Sequence, residues 1–377
     1  MKPGGRGALG LAAARCLLAA CALSLGLVAA QVAFAASPAT GQQAVAANNP
    51  DYVYAGRVDF SDPAAPRFYW AGNAVTIGFT GRKLAVSLAT TSADVYMDVI
   101  VNGDGAHPYV IHCRKGRHVY PIRAALASGR HTVEVFRRVD PTWPAVRFEG
   151  IRIAAGARVF RPSLPHALRI VFYGDSITSG YGVLSPNRKD EGNPAYMDNY
   201  VAYDAVAARA LHAAYRSISL SGIGVLKSWF PLTMPQMYDR LAPRDPQSRW
   251  NFASWTPDVV VVNLLQNDAW LLPREKHPPS RQRIVAAYAG FVRALRGHYP
   301  HAAIICMLGN MDVTAKGSAW PGYVQAAVHE LRAAGDARVY ALIVPYKQTP
   351  GHPDIAEQRT LAAALVGKVK AIEAARR

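Results

Sequence analysis

The stretch Arg169–Gly182, RIVFYGDSITSGYG, ends an apolar run in Gly-Asp-Ser. A serine two residues past a strand can cap the next helix with its hydroxyl, or can act as a nucleophile. Gly174 permits a sharp turn, and a turn at a helix N-terminus aims backbone N–H groups at any nearby anion. An oxyanion formed by attack of Ser176 on a carbonyl would lie beside the serine's own N–H. Asp175 is expected to brace the turn, not to act as base. Two further residues follow apolar runs. Gly222 in SLSGIG would let a backbone N–H approach substrate closely, and Asn267 in NLLQNDAW would bring a side-chain amide to the same oxyanion. Taken singly, a turn glycine and a turn-forming Asn are ordinary.

A serine nucleophile needs a base. His212, His298, His301 and His329 fall on or at the ends of predicted helices and read as surface residues. His277 in LLPREKHPPS and His352 in KQTPGHPDIAEQ stand in loops beyond strands, each followed by proline. Position favours His352, which follows the fifth strand and precedes the last helix, and so reaches across to the end of the first strand. His277 could instead face substrate.

The elements that must carry these residues change period along the chain. From Tyr52 to about Val159 there are short strands with period-two alternation: AVTIGFTG, KLAVSLATT, VYMDVIVNGDG, HTVEVFRRV and FEGIRIAAG. Asn102-Gly103 sits where a hairpin turn belongs. This half, 52–160, reads as a β-sandwich or jelly roll. Past Arg161–Pro165 come five continuous apolar runs: Arg169–Gly174, Ser217–Gly222, Asp258–Leu265, Ala302–Leu308 and Arg338–Val344. Helical patterns lie between and after them, at Asn199–Ala213, Arg281–His298, Gly322–Ala334 and Ala356–Ala375. That alternation predicts an α/β domain over 166–377, with a parallel sheet covered on both faces. Ligands bind such sheets at the carboxyl ends of the strands, where Ser176, Gly222, Asn267 and His352 all fall.

The 377 residues are 51% hydrophobic and 18% charged, which excludes a disordered chain. Lys2, Arg6 and Arg15 precede an apolar run to Ala30 and the small-x-small pattern Ala33-Phe34-Ala35, so residues 1–35 read as a secretory signal peptide. Residues 36–51 read as a linker. A lipoprotein box, LAAC ending at Cys21, is a second reading of the leader, weakened by Arg15. No other run is long enough to span a bilayer. The expected location is therefore periplasmic or secreted. Removing Lys2, Arg6 and Arg15 from the formal +17 leaves +14, scattered and mostly Arg, with no basic helix or stacking motif of a nucleic-acid reader. Cys113 and Cys306 remain after the leader, and two distant cysteines form neither a disulfide framework nor a metal cluster.

GDSITSGYG, SGIG, QND and GHP fall in the order of the four blocks of the SGNH (GDSL-type) hydrolases. The chain resembles carbohydrate esterase family two more closely still. TMPQMYDRLAPRDPQSRWNFASWTPDVVVVNLLQND (Thr233–Asp268) is similar to that family's approach to the third strand, and FYWAGNAVTIGFTG and SGRHTVEVFRR look like strands of its N-terminal jelly roll. The resemblance spans nearly all of Tyr52–Arg377. It implies a flavodoxin-like hydrolase domain with a five-stranded parallel sheet, Ser176 as nucleophile, His352 as general base, and an oxyanion hole from the N–H groups of Ser176 and Gly222 with the Asn267 amide. It implies removal of O-acetyl groups from a polysaccharide such as xylan or glucomannan through an acyl-enzyme, with no metal or cofactor; the protein is further expected to be a monomer without a nucleic-acid partner.

Two positions depart from the superfamily pattern. The third block has Leu265 where glycine is usual, which would narrow the site or shift Asn267. The acid expected three residues before the histidine is replaced by Thr349, and Asp354 is poorly placed to stand in. Some members of the family work as Ser-His dyads whose imidazole is oriented by a backbone carbonyl. Trp270, just after Asn267, could stack on a sugar ring, with Trp229 and Trp320 as weaker candidates, and the Arg188–Asp198 loop should border the mouth. An O-acetyltransferase would use the same nucleophile, and a decayed carbohydrate-binding protein would keep the fold without the chemistry.

Overall fold

The computed structural model describes residues 41–123, 125–164, 166–188 and 192–375. The expected leader, with Cys21, and the first part of the linker lie outside these residues, as do Pro165 and positions 189–191 of the expected mouth loop.

Residues 42–160 form two antiparallel sheets. In one, Val146–Ala154 pairs with Arg67–Phe68 and Leu84–Thr90, with Val58–Asp59 and Gly116–Ile122 outside them. In the other, Arg130–Arg137 lies between Ala74–Thr80 and Tyr96–Val101. Alternation along the strands turns Val133 and Val135 inward and leaves Thr132 and Glu134 half-exposed. Phe68, Phe79, Val86, Val99, Val133 and Phe148 fill one core between the sheets. Asn102 and Gly103 both take positive φ, +55° and +75°, the pattern of a type I′ turn, closed by Asp104 N donating to Val101 O at 3.1 Å. The expected linker contains a strand. Gln42–Val45 pairs with 151–154 because Arg67–Phe68 covers only Val146 and Arg147.

The second half is built on a parallel sheet whose strands we label β1 (Leu168–Gly174), β2 (Ala213–Ser219), β3 (Val259–Asn263), β4 (Ala303–Leu308) and β5 (Val339–Ile343). Their order is β2-β1-β3-β4-β5, so the sequence reverses direction beside β1. The helices used below are α1 (Ser176–Ser179), α2 (Tyr203–Ala210), α3 (Gln266–Leu271), α4 (Arg281–His298), α5 (Trp320–Ala333) and α6 (Ile355–Ala374). Period-two alternation divides the sheet's apolar residues between its faces. Val171, Tyr173, Val260, Val262, Ile304 and Cys306 pack against α4 and α5. Ile170, Phe172, Val259, Val261, Ile305 and Met307 pack against α2 and α6. Gly174 pairs with Ser219 on one side and Asn263 on the other, so the carboxyl ends of β1, β2 and β3 are level. Cys113 and Cys306 are buried, free thiols whose pKa burial pushes up to about 12, which makes them inert.

The two halves share a polar seam. Arg57, buried in the β-sandwich half, donates to the carbonyls of Tyr238 (2.6 Å) and Arg240 (2.9 Å) and to the hydroxyl of Tyr173 (3.1 Å). Its guanidinium also lies 5.3 Å from the Trp250 ring centroid and 5.5 Å from that of Phe252. Trp70 crosses in the same direction, its indole N–H donating to Leu241 O at 2.8 Å. Truncating Arg57 strands acceptors in a buried seam, where each unpaired group costs about 1–3 kcal/mol. Arg57→Ala is therefore expected to lose about 3–5 kcal/mol in urea denaturation, a large single-site effect. A loss below about 1 kcal/mol would show that the seam does not depend on this residue.

Candidate active site

Ser176 opens α1, a single turn directly after β1. Gly174 is required by crowding: a Cβ there would sit 1.9 Å from Thr178 Oγ1. Asp175 caps the turn, its Oδ1 accepting from Ile177 N at 3.0 Å, as the sequence led us to expect of a brace. The other oxygen, Oδ2, is buried with no hydrogen-bond partner among the described residues. Burial raises the Asp175 pKa from the usual carboxylate range to about 7, opposed in part by the Ile177 N–H. Gln358 of α6 donates to Ile177 O at 2.9 Å, and Asn199 donates to Thr178 O at 2.8 Å, so α1 is clamped from two sides.

His352 lies between β5 and α6. Its Nε2 is 2.7 Å from Ser176 Oγ, within hydrogen-bond reach of a serine-base pair. The Tyr181 ring packs against the imidazole with centroids 4.8 Å apart. His277, the other histidine left open by the sequence, is exposed in its loop. Thr349, which replaces the expected acid, donates its hydroxyl to Glu357 Oε1 at 2.5 Å and accepts from Lys347 Nζ at 2.8 Å. Asp354 caps α6, accepting from Glu357 N at 3.0 Å, and pairs with Arg188. Arg188 also donates to Glu357 Oε1 at 2.7 Å. The acids after His352 thus tie the start of the expected mouth loop to the histidine segment. These partners hold the Glu357 carboxyl below its usual range, against the opposing effect of burial.

Gly222 sits in the turn Leu220–Ile223 after β2, closed by Ile223 N donating to Leu220 O at 3.2 Å. Its φ of +84° at the third position is the type II pattern, which only glycine takes without strain. Asn267 lies one residue into α3 and donates from Nδ2 to Ile223 O at 2.8 Å. Its Oδ1 accepts from the Trp229 indole at 3.0 Å. Because an indole N–H can only donate, that bond fixes which way the amide points and leaves its second N–H for another acceptor. Asp268, buried beside it, accepts from the N–H groups of Val225, Leu226 and Lys227 at 2.7–3.0 Å and so ties down the loop after Gly222. Leu265 stands directly before α3. It adopts φ +87°, the conformation the usual glycine would favour, and buries its side chain in the core against β3.

The tryptophans sort differently from their order in the sequence. Trp270 is half-buried, with its indole N–H donating to Asp312 Oδ2 at 2.7 Å. Trp229 is 56% exposed and lies against Gly222, where an added Cβ would be 3.4 Å from its ring. Sequence gave Trp229 little weight because nothing in its loop, KSWF, marks proximity to Asn267. Asp268 was legible only as part of the QND block. The residues present bring a serine hydroxyl into contact with an imidazole beside the carboxyl ends of β1 and β2, a geometry that acyl transfer could use.

Comparisons with known proteins agree with this architecture. The model described as "Carbohydrate esterase 2 N-terminal" matches residues 54–162, and the "GDSL-like Lipase/Acylhydrolase family" model matches residues 172–377. The chain is 30% identical over 333 residues to "Cellulase/esterase CelE" of Acetivibrio thermocellus, covering 86% of this chain and 40% of that protein's length. It is 25% identical to the "Acetylxylan esterase / glucomannan deacetylase" of Cellvibrio japonicus, over 81% of this chain and 86% of that one. The solved structure of a family two carbohydrate esterase from Clostridium thermocellum in complex with cellohexaose superposes with a TM-score of 0.78 at 28% identity, covering 86% of this chain and 99% of that chain. With a parallel β2-β1-β3-β4-β5 sheet behind the GDS, GIG, QND and GHP blocks and a matching esterase-type β-sandwich before it, the chain belongs to the GDSL-like lipase/acylhydrolase family, in its carbohydrate esterase two branch.

Proposed function

We propose that the protein is a serine esterase that removes O-acetyl groups from a polysaccharide of the xylan or glucomannan kind. The observation that carries this reading is the 2.7 Å contact between Ser176 Oγ and His352 Nε2 at the carboxyl end of β1. The relatives named as acetylxylan esterase, glucomannan deacetylase and cellulase/esterase supply the substrate class. In this reading His352 takes the Ser176 proton as Oγ attacks the acetyl carbonyl. The oxyanion is received by the N–H groups of Ser176 and Gly222 and by the unused N–H of Asn267 Nδ2. Collapse expels the sugar hydroxyl, which takes the proton from the imidazolium. Water, deprotonated by His352, then attacks the acetyl-serine, and collapse releases acetate and the free Ser176 hydroxyl. Trp229, exposed at the rim beside Asn267, serves as the stacking platform for a sugar ring. Trp270 is less available, since its indole is committed to Asp312. The sequence pattern of residues 1–35 supports export, which places the enzyme where such polymers are met.

The reading is checked by acetate release from 4-nitrophenyl acetate and acetylated xylan. Ser176→Ala and His352→Ala should abolish turnover, and Asn267→Ala should lower kcat about 10²–10³-fold, the loss typical of one oxyanion donor. Equal rates in wild type and the Ser176 and His352 variants would refute the assignment, and loss confined to His277→Ala would identify a different base. Trp229 separates two roles. Trp229→Phe keeps a ring but removes the bond that orients Asn267, so kcat should fall with KM for acetylated xylo-oligosaccharides little changed. Trp229→Ala should raise that KM as well. If the two variants behave alike, Trp229 does not hold the sugar.

The Asp175 carboxyl gives a pH test. Its folded-state pKa lies at about 7, above its unfolded value. The protonated form is therefore favoured by folding, and its stabilising contribution is lost as pH rises from the ordinary carboxylate range through 7. Asp175→Asn keeps an acceptor for Ile177 N but cannot ionise. The Tm of the variant relative to wild type should increase between pH 5 and pH 8. An identical Tm difference at both values would mean that Asp175 is charged throughout.

A further inference from the structure

The oxyanion loop is held from one side by α3, through Asn267 and Asp268. It is held from the other side by a residue of the β-sandwich half. Asp140 follows the strand Arg130–Arg137 by three residues and is fully buried. Its Oδ2 accepts from Ser221 N at 2.7 Å and from Ser221 Oγ at 2.6 Å. Its Oδ1 accepts from Thr142 N at 2.8 Å. The segment that carries Asp140 is itself rigidly built. Arg137, fully buried, donates to the carbonyls of Val139, Asp140, Trp143 and Pro144 at 2.9–3.1 Å. On the far side, Arg244 of the hydrolase half donates to Pro141 O at 3.1 Å.

Ser221 is the second residue of the Leu220–Ile223 turn and Gly222 the third. The direction of the Gly222 N–H is set by the tilt of the Ser221–Gly222 peptide plane, which a glycine at positive φ leaves soft. A carboxylate oxygen that takes both donors of Ser221 at charge-assisted distances fixes the residue on the N-terminal side of that plane. Trp229 N, donating to Gly222 O at 3.1 Å, fixes the other side. We propose that Asp140 is a positioning residue for the oxyanion hole, so that the β-sandwich completes the catalytic centre of the domain that follows it. The proposal rests on the esterase reading of Ser176 and deepens it. Asp140 does not touch the reacting atoms. It acts through Ser221 on the Gly222 N–H.

The alternative is that Asp140 only glues the two halves together, and Arg57 distinguishes the cases. Arg57 lies in the same seam but bonds Tyr173, Tyr238 and Arg240, not the Leu220–Ile223 turn. The experiment uses the full-length chain at a temperature well below every variant's Tm. It measures kcat and KM for 4-nitrophenyl acetate, and the rate at which a fluorophosphonate probe labels Ser176, for wild type, Asp140→Asn, Asp140→Ala, Ser221→Ala and Arg57→Ala. Asp140→Ala should lower kcat and the labelling rate about 30–100-fold, in the range of a damaged oxyanion hole, with KM within about twofold. Asp140→Asn should keep part of the pin and fall between it and wild type. Ser221→Ala, which retains the backbone N–H contact, should lose several-fold. Arg57→Ala should lower Tm and leave kcat and labelling near wild type. If Asp140→Ala and Asp140→Asn lower only Tm, or if Arg57→Ala depresses kcat equally, the proposal is overturned. Should Asp140→Ala fail to fold, Asp140→Asn and Ser221→Ala decide by the same readouts. A wild type that labels readily at Ser176 but releases no acetate from either ester would sink the acetyl-esterase reading while leaving the labelling comparison to judge Asp140.

Discussion

Everything in the hydrolase half is arranged around the contact of Ser176 with His352. The two residues are 176 positions apart in sequence, yet Ser176 Oγ and His352 Nε2 lie 2.7 Å apart. A loop histidine cannot hold that distance by itself, because loops are the softest part of a fold. The structure meets the constraint by tying the elements on either side of the contact to each other. Gln358, on the helix that follows His352, reaches the carbonyl of Ile177 on the turn that begins with Ser176. Its other end accepts from Tyr203 N of α2 at 2.9 Å. One buried amide thereby links the turn that begins with Ser176, the helix that follows His352, and α2. The acids that follow His352 add an outer tie, since Glu357 and Asp354 engage Arg188, Thr349 and Lys347.

The second constraint concerns the loop after β2, whose Gly222 N–H we propose as an oxyanion donor. Backbone N–H groups are effective in an oxyanion hole only when they do not have to reorganise. The loop after β2 has two glycines, Gly222 and Gly224, and would be soft if left alone. It is pinned instead at nearly every residue, by Asp140 at Ser221, Asn267 at Ile223, Ser228 at Gly224, and Asp268 at the next three. Two buried carboxylates from opposite sides do most of this. Both are surrounded by N–H donors, which is how a carboxylate is accommodated away from water. Cations also serve structure: Arg57 bonds carbonyls across the seam between the halves, and Arg137 bonds carbonyls of the segment that carries Asp140.

Much of the fold was legible in the sequence, for local reasons. Arg281–His298 is a helix over those same residues, because apolar residues recur at helical spacing from a Ser280 cap that accepts from Arg283 N. The five apolar runs are the five strands because a parallel sheet buried on both faces demands uninterrupted hydrophobic residues. Boundaries suffered where pairing decides them. The second apolar run is Ser217–Gly222, but β2 is Ala213–Ser219, since its register is set by β1 and the last residues of the run leave the sheet to form the glycine turn. Gln42–Val45 reads as linker from sequence because so short a segment, Gln-Gln-Ala-Val, carries no period of its own; only the uncovered edge of Val146–Ala154 makes it a strand.

The sequence by itself determined the order of the strands along the chain and their carboxyl-terminal position before Ser176, Gly222, Asn267 and His352. These follow from periodicity and from the conformational demands of Gly174 and Gly222, which are properties of short segments. Only the tertiary structure decided that Leu265 takes a positive φ with its side chain buried in the core, that Trp229 and not Trp270 lies exposed beside Gly222 and Asn267, and that Asp140 from the first half reaches the turn of Gly222. Each of these depends on which backbone groups from distant segments come within hydrogen-bonding distance. No local pattern encodes that proximity, because it is set by the packing of the whole sheet and of the sandwich against it.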